Sequence, residues 1–69
     1  MMMEFRKRLK ELRIEKKLTQ KQLADMIGTN NSSVCDWECG RTEPNIEQII
    51  KICKYFEINS DYLLGIEEY

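Results

Sequence analysis

Residues 20–40 constrain this chain more than any other stretch. They read Gln-Lys-Gln-Leu-Ala-Asp-Met-Ile-Gly-Thr-Asn-Asn-Ser-Ser-Val-Cys-Asp-Trp-Glu-Cys-Gly. Leu23, Ala24 and Ile27 fall at i, i+1 and i+4, which makes one apolar helical stripe. Gly28 follows, a residue free to adopt the positive φ that ends a helix. Asn30 carries a side-chain oxygen able to cap the next helix. Val34 and Trp37 supply a second stripe. Two helices that cross steeply at so short a turn come close together, and Ala24 is the small side chain that fits between them. The stretch predicts helices at Gln20–Ile27 and Asn31–Cys39 joined by a tight turn.

That is the outline of a helix-turn-helix. Other markers fall at fixed offsets around it: Gln20, Ala24, Gly28, Val34 and Trp37-Glu-Cys-Gly-Arg41, then Pro44 and Asp61-Tyr-Leu-Leu-Gly65. Together they resemble the phage-repressor/Cro-like (XRE) helix-turn-helix family, over about residues 5–65. The resemblance implies an all-α fold, a compact five-helix lambda-repressor-like DNA-binding domain with its helix-turn-helix at helices two and three. It also implies a role in transcription regulation.

The length sets one domain, residues 1–69, whose small core leaves only ~3–5 kcal/mol of net stability. No run approaches the ~18 apolar residues of a membrane span. Met1-Met2-Met3-Glu4 lacks the apolar segment of a signal peptide, so a cytoplasmic location is expected. Three Cys and no His do not make a disulfide framework. Cys35 and Cys39 are helical neighbours, but two thiols without further ligands cannot close a tetrahedral zinc site, and one helix places them poorly for a disulfide. No metal and no small-molecule cofactor are expected. Reduced cytosolic thiols are the plain reading of the pair, and a redox-sensitive switch on the presumed DNA side is the alternative.

The net charge of −1 does not advertise a nucleic-acid partner, but its distribution does more. Residues 1–22 hold eight Lys/Arg against three Glu, and residues 23–69 hold three Lys/Arg against nine Asp/Glu. A basic end beside an acidic end makes a dipolar domain whose basic end can face phosphates.

Along the chain, residues 4–16 read as helix one, with Phe5, Leu9 and Leu12 on one face. Lys17-Leu18 forms a turn, with Leu18 packed as an anchor. Thr19 and Gln22 make a capping box for helix two. Asn45 and Gln48 make another for helix four, with Pro44 holding the chain extended before the cap. Ile46, Ile49, Ile50, Cys53 and Phe56 are expected to line the buried stripe of helix four, with Ile52 on its flank. Ser60 is expected to cap a last helix, Asp61-Tyr62-Leu63-Leu64, closed by Gly65. Ile66 and the residues after it are candidates for a dimer contact.

At about 100° per residue, burying Val34 and Trp37 turns Ser32, Asp36 and Cys39 outward and puts Asn31 at the leading tip of helix three. A helix so presented can enter a major groove. Asn31 suits adenine, Ser32 either sense of partner, and Asp36 the amino group of cytosine. The absence of Lys or Arg on this face, together with an acid, counts against phosphate affinity. Gln20 and Lys21, at the start of helix two, and Arg41 and Thr42, in the loop after helix three, are the expected DNA-backbone contacts; Gln20, Arg41 and Thr42 also match positions that serve this role in the family. Glu38 falls on the buried flank, where a lone carboxylate is costly, and Arg13 is its natural partner. The resemblance implies the same interhelical ion pair, and a bidentate contact at ~2.7–2.9 Å is expected.

The chain has no His, no glycine-rich phosphate loop and no nucleophile beside a base, so no catalytic residues are assigned and an enzyme is not expected. Two classes remain. One is a repressor-type regulator that binds double-stranded DNA, with helix three in the major groove, as a homodimer on a palindromic operator that assembles weakly without DNA. The other is a helix-turn-helix module for protein–protein contact, antitoxin-like or an anti-regulator partner, since fold alone does not fix function.

Overall fold

Five α-helices account for most of residues 3–66, the part of the chain described by the computed structural model. They are α1 (Met3–Glu15), α2 (Gln20–Ile27), α3 (Asn31–Cys39), α4 (Ile46–Phe56) and α5 (Ser60–Leu64). No strand occurs among the described residues. The expectations for Met1 and Met2, and for a dimer contact through Glu67, Glu68 and Tyr69, lie outside them.

Local chemistry sets the helix ends. Thr19 Oγ1 accepts from the Gln22 N–H at 3.0 Å while Gln22 Oε1 accepts from the Thr19 N–H at 2.8 Å. Asn45 and Gln48 repeat the exchange at 2.8 Å in each direction. Asn30 Oδ1 takes the Ser33 N–H at 2.8 Å. Such caps satisfy amide donors that a helix leaves open, each worth ~1 kcal/mol. The cap of α5 is Asn59 rather than Ser60. Asn59 has extended backbone angles and its Oδ1 accepts from the Tyr62 N–H at 2.7 Å, so Ser60 is already helical. Helix α1 spans Met3–Glu15 instead of 4–16. Lys17 takes a left-handed conformation (φ 60°), and the Leu18 N–H reaches back to the Arg13 carbonyl at 3.0 Å. That wrap turns the chain sharply into α2.

Phe5, Leu9, Leu23, Ala24, Ile27, Val34, Trp37, Ile52, Phe56 and Leu63 form the buried core, with Leu12, Leu18, Ile49, Cys53, Ile58 and Leu64 packed against it. Each fully buried large side chain contributes ~1.5–3 kcal/mol of transfer free energy. Helix α3 packs on α2 and α1, and α5 packs under α1 and α4. The buried face of α4 is rotated from the expected one. Ile52 is fully buried, whereas Ile46 is 78% exposed and Ile50 47% exposed. Seven of the eleven α4 residues are apolar, more than one face can bury. The stripe Ile49-Ile52-Cys53-Phe56 keeps i, i+3, i+4, i+7 spacing and wins because it meets the core.

Candidate nucleic-acid interface

Helix α3 is anchored by its inner face, where Val34 is fully buried and Trp37 is 3% exposed. With that face fixed, Asn31, Ser32 and Cys39 are exposed and Asp36 is half-buried. Gly40 closes the helix in the left-handed region at φ 83°, a conformation that costs any L side chain ~1–2 kcal/mol. The Arg41 N–H then bonds back to the Asp36 carbonyl at 2.9 Å. This reversal folds Arg41 over the helix end, and its Nη1 comes to 3.6 Å from Asp36 Oδ1. The acid on the outer face of α3 thus has a cation beside it, supplied by the following loop rather than by the helix. Arg41 is largely solvent-exposed and Asp36 only partly covered, so the pair contributes little to stability. It leaves Arg41 and Asp36 both accessible. Thr42 is exposed in the same loop. Lys21 is exposed on α2, 3.9 Å from Asp25.

Behind α3, Arg13 and Glu38 meet with Nε to Oε2 at 2.7 Å and Nη2 to Oε1 at 3.0 Å, a bidentate contact. Only 12% and 4% of their side-chain surfaces are exposed. Arg13 Nη1 also donates to the Leu18 carbonyl at 2.8 Å, which ties the α1–α2 turn to the same cluster. Gln20 joins it as well. Its Nε2 donates to Glu38 Oε1 at 3.1 Å. In the DNA-free chain the Gln20 side chain thus bridges α2 to α3, while its place in the first turn of α2 keeps it among the expected DNA-backbone contacts. The physical reason is that a buried carboxylate needs every donor within reach, and Gln20 is one of them. Gln20 accordingly also helps to position α3.

The basic first helix is less free than its composition suggests. Arg6 Nη1 donates to the Cys39 carbonyl at 3.1 Å, at the C-terminus of α3. Arg8 stacks its guanidinium 4.5 Å from the centre of the Tyr62 ring, donates to the Tyr62 carbonyl and pairs with Glu4 at 3.3 Å. Arg6, Lys7 and Lys10, with Glu4 and Glu38, line an open cleft of about 390 Å³ between α1 and α3. Lys7 and Lys10 are exposed there, on the basic end expected to face phosphates, and join the backbone-contact candidates. Their signal was the basic run on α1, which spacing alone could not orient toward α3.

The Cys35 and Cys39 sulfurs lie 4.0 Å apart on α3. The hydrogen bond with Cys39, and next the charge of its sulfur, push the Cys35 thiol above its ordinary range. Burial does the same for Cys53. Among the described residues no group of three or more His, Cys, Asp or Glu could hold a metal ion, and no helix is long and apolar enough to cross a membrane.

A family model described as helix-turn-helix matches residues 9–63. The chain is 41% identical over 66 residues to the HTH-type transcriptional activator BcrR of Enterococcus faecalis, covering 96% of this chain and 32% of that protein. Among solved structures it resembles the P22 c2 repressor in complex with a synthetic operator. There the TM-score is 0.85 at 32% identity, over 91% of this chain and 96% of that one. It also resembles the restriction-modification controller protein C.AhdI of Aeromonas hydrophila, with a TM-score of 0.79 at 32% identity, over 90% and 94% of the two chains. This chain spans about a third of the activator's length and about half that of the HTH-type regulators YqaE and ImmR of Bacillus subtilis.

Proposed function

The chain belongs to the helix-turn-helix family, of the phage-repressor/Cro-like (XRE) type, and from that premise we propose that it binds double-stranded DNA sequence-specifically as a repressor-type transcriptional regulator. The observation that carries the reading is the presentation of α3. Its inner face is locked by Val34, Trp37 and the Arg13–Glu38–Gln20 cluster, and its outer face is left to Asn31, Ser32 and Asp36. In this reading α3 enters the major groove tip first. Asn31, Ser32 and Asp36 read base edges, and Lys21, Arg41 and Thr42 hold the flanking phosphates. Arg41 exchanges its contact with Asp36 for a phosphate as the helix docks, which frees the carboxylate to accept from a cytosine amino group. The likeness to a repressor solved in complex with a synthetic operator supports DNA as the partner.

The reaction is binding, not catalysis, and it takes place in the cytoplasm. The protein acts as a homodimer whose two α3 helices meet successive major grooves ~34–36 Å apart on a palindrome. The contact surface is α5 and its exposed end at Ile66, 71% exposed. Selection from a random duplex library tests the proposal. The expected outcome is an enriched palindrome that Asn31→Ala fails to enrich. If parent and variant enrich alike, or neither enriches any sequence, the reading fails and the fold serves a protein partner.

A further inference from the structure

Cys35 and Cys39 are groups on α3 that DNA recognition leaves unused. Their sulfurs stand 4.0 Å apart near the outer face of the helix. That distance suits one chemistry and not another. A disulfide needs sulfurs at ~2.05 Å and Cβ atoms ~3.5–4.5 Å apart. Helical i, i+4 positions hold their Cβ atoms ~5–6 Å apart. Closing the bond means unwinding the last turn of α3, which the Gly40 cap and the bond from Arg6 to the Cys39 carbonyl hold in place. A bridging atom requires no such closure. With metal–thiolate bonds of about 2.3 Å, two sulfurs 4.0 Å apart subtend an angle of about 120° at a shared centre. That is the angle of a planar three-coordinate centre such as a cuprous ion; a pyramidal trivalent arsenic closes the angle further and draws the two exposed-side thiols together by side-chain rotation, still without an S–S bond.

We propose that Cys35 and Cys39 chelate a soft, three-coordinate thiophilic centre, such as trivalent arsenic or a cuprous ion, on the exposed side of α3. Thiolates select soft centres over the hard cations that oxygen ligands bind. The protein fills two positions, and a carbon or thiolate carried by the ligand fills the third. Binding is ligand exchange without a change of oxidation state. With a mono-organic arsine oxide, two As–S bonds form as the arsenic–oxygen bond breaks. The two thiol protons leave with that oxygen as water. The bound centre sits beside Ser32 and Asp36 at the surface read above as entering the groove, so chelation and DNA docking exclude one another. This consequence, unlike the site itself, rests on the proposed DNA-binding function.

The test begins without DNA. Phenylarsine oxide is titrated into the reduced full chain, with intact mass and free thiols as readouts. One arsenic per chain and the loss of two of the three thiols are expected. Cys35→Ser and Cys39→Ser each weaken binding ~10²–10⁴-fold by removing the chelate, and Cys53→Ala leaves it unchanged. Buffered cuprous ion with glutathione is titrated in parallel, and the tighter of the two probes identifies the source. Undiminished binding of both probes in Cys35→Ser or Cys39→Ser overturns the site. Operator affinity is then compared before and after adduct formation, each protein against itself. A fall of tenfold or more supports mutual exclusion, and an unchanged affinity overturns it. Absence of DNA binding by the unreacted protein refutes the DNA reading and leaves the site to be decided by the titration alone.

Discussion

Removing Arg13 tests how α3 is held. In the folded chain Glu38 is 4% exposed and accepts three hydrogen bonds, two from Arg13 and one from Gln20. Arg13→Met leaves that carboxylate buried with the Gln20 amide alone. Breaking a buried pair from one side costs ~3–5 kcal/mol, and the lost bond to the Leu18 carbonyl adds ~1 kcal/mol. A core of this size leaves only ~3–5 kcal/mol of net stability, so Arg13→Met should be largely unfolded in plain buffer. The double substitution Arg13→Met/Glu38→Leu buries no charge and should recover all but ~1–2 kcal/mol. Equilibrium urea unfolding measures both, followed by far-UV circular dichroism and by the fluorescence of Trp37, which is 3% exposed. Sucrose brings the weaker variant into range. An Arg13→Met variant within ~1 kcal/mol of the parent would show that the buried pair does not hold α3 in place. So would a double variant no more stable than Arg13→Met alone.

Gly65→Ala should cost more than Gly28→Ala. Both leave a side chain at positive φ, for ~1–2 kcal/mol, but a Cβ at Gly65 lies 2.5 Å from Glu4 Cβ while one at Gly28 meets only the Lys51 Nζ at 3.8 Å; urea midpoints rank them. Lys17→Gly should stabilise by ~0.5–1 kcal/mol, since Lys17 holds φ 60° at the end of α1; the same unfolding assay reads it. Cys39→Ala should lower the pH midpoint of Cys35 alkylation by iodoacetamide. Cys39 raises the Cys35 thiol by hydrogen bond and by charge, so removing it exposes more thiolate at a given pH; a midpoint that stays or rises contradicts this.

The helix-turn-helix was legible because its determinants are local. Thr19-x-x-Gln22, Asn30, Gly28 and Gly40 set ends within a few residues of themselves, and each does so in the folded chain. The Arg13–Glu38 contact was legible because a carboxylate on a buried flank demands a cation and helix one offers one. Tertiary choices were not. In α4 the apolar residues exceed one face, and only packing against α5 and α2 decides between Ile52 and Ile50. At α5 two neighbouring residues can both cap, and the backbone angle at Asn59 decides. The turn of Gln20 toward Glu38 depends on how α3 is rotated about its axis, which no spacing within α2 reports. The approach of Arg41 to Asp36 depends on the wrap after Gly40.

Whether α3 reads DNA is decided by titrating the selected operator with parent and Asn31→Ala at 50 and 200 mM salt. Lys21 and Arg41 on each of two protomers neutralise at least four phosphates, so the logarithm of affinity should fall with that of salt at a slope of about −3.6 or steeper, a loss of ~10²-fold or more across this range. Asn31→Ala should keep the slope and weaken binding by ~1–3 kcal/mol per protomer, because it removes a base contact and no phosphate contact. A parent affinity indifferent to salt, or an Asn31→Ala variant that binds as the parent does, would mean that α3 does not read bases in a DNA groove.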